Sequence, residues 1–369
     1  MPQKPKRVLV LYDLPERVTD YDQPNYLLNH DDRPTERDVT RAIKRLGLDL
    51  HVHGVFDDIV GVWRKIQFLT PDLVFNLCET FRGKRAYEGD VASVLELTGV
   101  PYTGSGPAAL HLCKDKGATK KIAIWDGIKV PRFKVFRRDE MHFEPFAASF
   151  PLIVKPLNRE ASEGISQASI VYDWKSCEAR ASWLALKFGA DVIVEEFIHG
   201  RELYVGVFDT LDGLIALPPR ELFFANMAKS DPMVATYRAK WDDTYRKKWG
   251  ITTGRAAAMT RENCANIMNL SMSLFKSLGL RGYARFDWRL NTNNEPVFLE
   301  ANPNPALAQE DDFAKAAKTT GYSYGELIAS ISNAAVHQLN QRNSTDLNQL
   351  NPRWSATTRP MISKVRSSA

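Results

Sequence analysis

Short apolar runs alternate with segments of helical period in the N-terminal part of the chain. Residues 8–12 are continuously apolar, which is typical of a parallel strand buried on both faces. In residues 35–46, Val39, Ala42, Ile43 and Leu46 have the spacing of one helical face, and Thr35 is the predicted N-cap. Similar patterns predict strands at 48–55 and 73–77 and a helix at 88–98. This alternation predicts an α/β layer around a parallel sheet.

The rest of the chain continues the alternation as far as residue 337. The predicted helices are 115–126, 173–188 and 260–278, and the predicted extended segments are 130–135, 151–155, 165–171, 192–197, 203–208 and 214–217. Residues 227–251 are polar and aromatic without a clear period, so we expect a mobile loop that covers a site. The composition from residue 338 onward, rich in Asn, Gln, Ser and Thr, predicts a poorly ordered tail over 339–369.

One predicted hairpin carries polar side chains on otherwise apolar strands. Residues 283–290 and 296–301 alternate around the polar turn 291–295. Because residues two apart share a face of a strand, Arg285 and Asp287 point the same way, and so do Glu300 and Asn302. If the register brings these faces together, one guanidinium, two carboxylates and one carboxamide converge.

Such a group is costly in an apolar hairpin because the carboxylates repel each other and a buried unpaired charge is unfavourable. A Mg²⁺ ion would neutralise it, since magnesium takes carboxylate and carboxamide oxygens and completes its shell with water and nucleotide phosphates. The alternative is an ordinary amphipathic hairpin with a surface Arg–Asp pair.

Composition and charge narrow the classes of protein. At 369 residues, two or three domains are expected, and 44% hydrophobic and 25% charged residues are ordinary globular values. The net charge of +5 is spread over interleaved basic and acidic residues, so no nucleic-acid-binding stripe is predicted. The four cysteines form no CxxC pair, and we expect reduced thiols. Without a signal-peptide pattern or a membrane-span window, we expect a cytoplasmic protein with no membrane partner.

Two lysines and two glutamates are further candidates for nucleotide contacts. Lys116 opens a helix and Lys155 ends a strand, where a lysine can reach phosphates as a point charge. The apolar strand that ends in Glu195 offers a carboxylate to an adenine edge, and Glu202 follows the next turn. Solvated surface lysines and carboxylates are the alternative for each of these positions taken singly.

The order of these motifs is recognisable. CKDKGATKK, PLIVKP, VIVEEFIHGRE and ARFDW followed by VFLEANPNP resemble the ATP-grasp superfamily, in its D-alanine–D-alanine ligase-like branch. The resemblance covers roughly residues 7–337. It implies an ATP-grasp fold that is α/β, with α+β C-terminal lobes, behind a Rossmann-like N-terminal domain. The implied domains are 1–112, a central lobe 113–202, a C-terminal lobe 203–338 with the metal site, and the tail 339–369.

The resemblance also implies roles for individual residues. Magnesium, with manganese as the alternative ion, is assigned to Asp287, Glu300 and Asn302. The residues implied to bind ATP are Lys116, Lys155, Ser162, Gly164, Glu195, Glu196, Phe197, Ile198 and Glu202. The residues implied to act in catalysis are Arg285 on the transferring phosphoryl group, Lys240 on the γ-phosphate and Glu36 on the ammonium group of the first amino acid.

The chain departs from that branch around the second substrate. Ala161 and Glu163 replace residues of a Ser-rich phosphate loop, Trp241 replaces a tyrosine, and 303–313 replaces a Gly- and Ser-containing segment. We therefore expect an ATP-dependent carboxylate–amine ligase with an acyl-phosphate intermediate and an altered acceptor site. Its expected partners are amino acids or short peptides, and a homodimer is one expected assembly. The alternative is an ATP-binding regulatory or kinase-like protein without ligation.

Overall fold

The computed structural model describes residues 5–17, 32–140, 143–228, 232–256 and 259–349. Its strands form three sheets. The strands are β1 Arg7–Asp13, β2 Asp49–Val55, β3 Leu73–Leu77, β4 Phe133–Phe136, β5 Leu152–Pro156, β6 Ile170–Val171, β7 Val192–Glu196, β8 Gly200–Thr210, β9 Gly213–Ala216, β10 Arg220–Phe224, β11 Ile251–Arg255, β12 Tyr283–Asn291 and β13 Pro296–Pro303. The helices are α1 Pro34–Arg45, α2 Ile59–Leu69, α3 Glu88–Thr98, α4 Pro107–Lys114, α5 Lys116–Trp125, α6 Trp174–Phe188, α7 Tyr237–Trp241, α8 Asp243–Trp249, α9 Arg261–Ser277, α10 Asp312–Thr319 and α11 Tyr324–Gln349.

The N-terminal sheet is parallel, in the order β2-β1-β3. Its central strand is apolar throughout because both of its faces are buried: Val8 and Val10 belong to one core and Leu9 and Leu11 to another. This confirms the predicted α/β class. Helix α1 begins at Pro34, so Thr35 lies in the first turn and the predicted N-cap is wrong. Proline fits the first helical position because a backbone N–H there would have no partner within the helix, so its absence costs nothing.

The central sheet is antiparallel, in the order β4-β7-β5-β6, and α6 covers it. Asp173 caps α6 by accepting a hydrogen bond from the backbone N–H of Ser176. The strand predicted over 165–171 is shorter than expected. A turn of 3₁₀-helix at Gln167–Ser169 precedes it, and only Ile170–Val171 pair with β5.

The C-terminal sheet is antiparallel, in the order β11-β10-β8-β12-β13, with β9 paired to β8. On β12, Phe286 and Trp288 face a core that α9 closes, whereas Arg285, Asp287 and Arg289 face the other side. Trp288 is fully buried, and its indole N–H donates to Ser271 of α9 at 3.1 Å. One face of the sheet is thus a hydrophobic core, and the opposite face is free for polar groups.

Hydrophobic cores cross the expected domain boundaries, which stay predictions. The boundary at 202/203 falls inside β8, and α5, expected in the central lobe, contributes Ala123 to the core of the C-terminal sheet. Helices α10 and α11 share a core with the N-terminal sheet, where Phe313 and Leu327 are clustered with Val8 and Val10. The domains predicted from sequence are therefore joined by continuous hydrophobic cores.

Two segments expected to be irregular contain helices. The segment 227–251 includes α7 and α8, whose N-caps Thr236 and Asp242 accept hydrogen bonds from backbone N–H groups. Both helices are too short to show a period in the sequence. Helix α11 extends to Gln349, past the predicted start of the tail, and residues 350–369 lie outside the described part of the chain. None of the described helices combines the length and apolar character of a membrane-spanning segment.

The packing of β12 predicts which aromatic side chains stabilise the fold. Phe286 is fully buried, so we expect Phe286→Ala to lower the free energy of unfolding by about 3–5 kcal/mol. Phe68 is 89% exposed, and Phe68→Ala is the control, with an expected change within about 0.5 kcal/mol. Urea titration of both variants beside the parent measures the difference. Equal midpoints for the two variants would contradict this account of the core.

Candidate active site

Strands β12 and β13 bring the four predicted hairpin residues onto one face. Arg285 lies opposite Asn302 and Asp287 lies opposite Glu300. Arg285 holds Asp287 through two hydrogen bonds, 2.7 Å from Nε to Oδ1 and 3.0 Å from Nη2 to Oδ2. This bidentate geometry fixes the direction of the carboxylate.

A bulge makes this arrangement compatible with the core. The register passes from Asp287 opposite Glu300 to Trp288 opposite Phe298, so Leu299 is an extra residue in β13. Without the extra residue, Phe298 and Glu300 would share a face. With it, Phe298 is fully buried in the core while Glu300 points to the polar side.

The electrostatics of the two carboxylates differ. Burial raises the pKa of Asp287 to about 6, and the Arg285 guanidinium only partly offsets this. Burial also opposes ionisation of Glu300, but Lys116 and other nearby cations outweigh it and lower the pKa of Glu300. The two carboxylates lie opposite each other, so a cation between them would favour ionisation of both.

The donor set fits a hard divalent cation bound by oxygen ligands. Two carboxylates and a carboxamide are ligands that magnesium accepts while it keeps water or phosphate oxygens in its shell. The amide Nδ2 of Asn302 is buried and has no hydrogen-bond partner in the described structure. Within the described ranges, no group of three or more His, Cys, Asp or Glu side chains could hold a metal ion, so a cation bound here would need the carboxamide oxygen of Asn302 as well as the two carboxylates.

Three lysines lie beside the carboxylates of Glu300 and Glu195. Lys116 Nζ lies 3.7 Å from Glu300 Oε2 and donates to the Arg159 carbonyl at 2.5 Å. Lys155 Nζ lies 2.8 Å from Glu195 Oε2, and Lys120 Nζ lies 3.1 Å from Glu195 Oε1. Burial opposes the charge of Glu195, but Lys120 and Lys155 outweigh it and lower its pKa. Lys120 was not predicted from sequence; its helical spacing of four residues from Lys116 was the available signal.

All of the predicted ATP-binding residues except Lys116 and Gly164 line a narrow cavity between the central and C-terminal sheets. The predicted site residues that line it are Lys155, Ser162, Glu195, Glu196, Phe197, Ile198, Glu202, Lys240, Asp287 and Glu300. Glu202 accepts hydrogen bonds from Arg289 and from the Tyr204 hydroxyl, each at 2.9 Å. The Tyr204 ring lies under the Arg285 guanidinium, 4.9 Å from ring centre to Cζ. Tyr204 and Arg289 are site residues that the sequence analysis missed.

Two loops close over this cavity and are hydrogen-bonded to each other. The Ser162 hydroxyl donates to the Ala235 carbonyl at 2.6 Å, and the Trp241 indole N–H donates to the Ala161 carbonyl at 3.1 Å. Ala161 and Ser162 both have positive φ angles, +54° and +61°, a conformation that costs on the order of 1 kcal/mol for each such residue. Gly164, with φ of +80°, has Pro156 so close that a Cβ would lie 2.8 Å from its Cγ. The loop conformation therefore depends on this glycine and on the contacts between the loops.

A larger cavity of about 320 Å³ adjoins the residues that are predicted to bind the metal. Lys240 lines both cavities, and Arg285 and Asn302 line the larger one. Seven residues of the segment 303–313 also line the larger cavity: Pro303, Asn304, Pro305, Ala306, Asp311, Asp312 and Phe313. The segment expected to differ in acceptor binding is therefore part of the wall of this cavity.

Glu79 and Glu88 of the N-terminal domain and Glu160 of the central lobe form an acidic wall of the same cavity. Glu88 and Glu160 both pair with Lys114, at 2.8 and 3.0 Å, and burial raises the pKa of Glu88 to about 7. Glu79, also on this wall, pairs with Arg85 at 2.6 Å. Glu36 does not line either cavity; its carboxylate is 2.9 Å from Arg33. Arg33, three residues earlier, thus neutralises the Glu36 carboxylate. The predicted role of Glu36 in binding an ammonium group stays a prediction.

Comparison with known proteins adds a family to this geometry. Residues 123–333 match the family described as D-ala D-ala ligase C-terminus. A D-alanine–D-alanine ligase from Bordetella petrii is 31% identical over 308 residues, which span 81% of this chain and 88% of that protein. The chain belongs to the D-alanine–D-alanine ligase family. A Sinorhizobium fredii protein described as uncharacterized, y4sG, is 29% identical over 73% of the chain and 78% of its own length.

Solved structures confirm the ATP-grasp fold. A D-alanine–D-alanine ligase from Bacillus anthracis, crystallised with ATP, matches with a TM-score of 0.68 at 20% identity, over 91% of this chain and 99% of that one. The VanG D-Ala:D-Ser ligase from Enterococcus faecalis matches with a TM-score of 0.65 at 18% identity, over 89% and 99%. The predicted family, fold and enzyme class, an ATP-grasp ligase forming C–N bonds, are confirmed. A D-alanine–D-alanine ligase and a D-Ala:D-Ser ligase thus share one fold, so the fold does not identify the acceptor.

The contacts between the loops predict how readily the cover opens. The double variant Ser162→Ala/Trp241→Phe loses both hydrogen bonds between the loops. We expect trypsin to cleave it after Arg238 roughly fivefold faster than the parent, because a loss of about 1 kcal/mol in local stability raises the population of the open loop by that factor. Trp125→Phe is the matched control, since Trp125 is 90% exposed. Cleavage at the parental rate in the double variant would show that these contacts do not hold the loops.

Proposed function

We propose that this chain joins a carboxylate to an amine at the expense of ATP. In the first step a carboxylate oxygen of one substrate attacks the γ-phosphorus, and ADP leaves. In the second step the amine nitrogen attacks the acyl carbon, the C–O bond to phosphate breaks, and the ammonium proton is lost as the amide forms. The observation that carries the proposal is the pairing of Arg285 with Asn302 and of Asp287 with Glu300 on one face, between the two cavities.

The proposed metal ligands are Asp287, Glu300 and Asn302, on neighbouring positions of β12 and β13. When bound, Mg²⁺ would neutralise phosphate charge and orient the oxygens of the triphosphate. Manganese is the alternative ion, because it accepts the same oxygen ligands. Arg285, held by Asp287 and by the Tyr204 ring, is placed to stabilise negative charge on the transferring phosphoryl group.

We assign the narrow cavity to the nucleotide. Its proposed phosphate cations are Lys155 and Lys240, which line it, and Lys116, whose Nζ lies 3.7 Å from the lining residue Glu300. Ser162 lines the cavity, and Gly164 belongs to the same loop. Glu195 accepts a hydrogen bond from the adenine amino group, and Glu202 accepts hydrogen bonds from the ribose hydroxyls. Glu196, Phe197 and Ile198 supply the wall and backbone groups beside the base. Phosphoryl transfer needs this positioning and charge neutralisation more than a covalent nucleophile.

We assign the larger cavity to the two substrates that are joined. Its wall carries both signs of charge: Glu79, Glu88 and Glu160 on one side and Arg246 and Lys240 on the other. This combination suits zwitterions such as amino acids or short peptides. Asp311 and Asp312 come from the segment that differs from the family pattern; Asp312 is paired with Arg220 at 3.1 Å, whereas an ionised Asp311 would repel a carboxylate placed beside it. We therefore propose an acceptor other than D-alanine.

The metal ligands give the first test of this proposal. We expect Asp287→Asn and Glu300→Gln each to lower kcat by roughly a hundredfold or more, because each removes one negative ligand from the proposed ion. Asp212→Asn, in the exposed turn after β8, should keep parental activity. Circular dichroism checks that the variants fold. Parental turnover in both folded variants would place the reacting phosphates elsewhere.

The second test asks whether two substrates are required. Phosphate release should be stimulated only when an acid and an amine are present together, and mass spectrometry should find a product lighter by one water than the two precursors. Amino acids and short peptides, offered singly and in pairs, are the candidates. Phosphate release that ignores the amine would support a kinase-like or regulatory ATP-binding protein instead.

A further inference from the structure

Lys120 is a buried cation to which the proposed reaction assigns no role. It lies one helical turn after Lys116 on α5 and is fully buried. Its ammonium group is 3.1 Å from Glu195 Oε1, donates to the Leu299 carbonyl and lies 5.8 Å from the centre of the Phe298 ring. Lys120 therefore joins α5 to the strand that ends in Glu195 and to the bulge of β13.

The surroundings of Lys120 make its charge costly. Moving an ammonium group into a protein interior costs several kcal/mol before pairing, and an apolar side chain of similar length would avoid this cost. The Leu299 carbonyl has no counterpart in the β12–β13 ladder because of the bulge, and a neutral donor could satisfy it. The carboxylate of Glu195 is the contact for which a positive charge matters.

Glu195 is shared between two lysines that lie on opposite oxygens. Lys155 Nζ is 2.8 Å from Oε2 and Lys120 Nζ is 3.1 Å from Oε1. In the proposed reaction Lys155 contacts phosphate, so its ammonium group turns from Oε2 toward the nucleotide. Glu195 is only 1% exposed, and without a second cation it would then be an unpaired buried carboxylate.

We propose that Lys120 is a positioning residue that keeps Glu195 ionised and oriented while Lys155 is engaged with the phosphates. The freed Oε2 then accepts a hydrogen bond from an exocyclic amine of the base. The chain would thereby select nucleotides whose base presents an amine at that edge over those that present a carbonyl. This inference rests on the proposed function, because it needs a nucleotide in the narrow cavity.

Nucleotide binding without turnover tests the inference. Calorimetric titration of the full chain with ADP and with IDP, each with Mg²⁺, measures the ratio of the two dissociation constants. The parent is expected to prefer ADP by about tenfold, the worth of one hydrogen bond to a charged acceptor. Lys120→Met is expected to bring the ratio to about one or to invert it, because a protonated Glu195 donates to the carbonyl of IDP.

A second variant separates charge from hydrogen bonding. Lys120→Gln can still donate to the Leu299 carbonyl but carries no charge, and it should lose the preference as Lys120→Met does. If the Met variant does not fold, the Gln variant decides. Lys121→Met, the next residue on the exposed side of α5, is the matched control and should keep the parental ratio. Lys155→Met should weaken ADP and IDP binding by the same factor.

The possible failures are distinguishable. A parental ADP/IDP ratio in the folded Lys120 variants, or an equal loss of affinity for both nucleotides, would overturn the inference and leave the ligase proposal intact. Binding of both nucleotides to the parent without preference would do the same. If the parent binds neither ADP nor ATP, the proposed function itself fails.

Discussion

The register of β12 against β13, with Leu299 as one extra residue, is the constraint on which the site depends. It lets Phe298 remain in the core while Glu300 and Asn302 face Asp287 and Arg285. A shift by one residue would turn these side chains into the hydrophobic core and bring Phe286 and Trp288 to the polar side. The cost of that exchange is large, because both aromatic side chains are fully buried. The core therefore enforces the geometry of the polar face.

The charges on that face are arranged in pairs, two of which join separate elements. Arg285 pairs with Asp287 within one strand, Lys116 approaches Glu300 from α5, and Arg289 pairs with Glu202 on β8. Each pair is buried or nearly so, and such pairs persist when their geometry is well ordered on rigid elements. Tyr204 connects them, since its hydroxyl binds Glu202 and its ring contacts Arg285. One side of the sheet thus links the proposed ribose end of the site to the phosphoryl end.

How much of this could be predicted depended on whether the signal was local. Alternation within one hairpin predicts that Arg285 shares a face with Asp287 and that Glu300 shares a face with Asn302. The two pairs meet on the same face only because of the bulge at Leu299, which the alternation does not predict. Lys120 has helical spacing from Lys116, but its partner Glu195 is far along the chain, and only the packing of α5 brings them together. Helices α7 and α8 are too short to show a period. The motif around Glu36 does not show that Arg33 pairs with its carboxylate, because only the folded start of α1 brings the two side chains together.

The core shared by the N-terminal sheet and helices α10 and α11 bears on how this chain could exchange parts with its relatives. Phe313 and Leu327 pack with residues of β1 and α1, although they are close to the other end of the chain. A chimera that replaced only residues 1–112 would break this core and leave mismatched apolar surfaces. A chimera that takes its N-terminal domain from another ligase should therefore also take α10 and α11 from that ligase, so that the shared core stays matched.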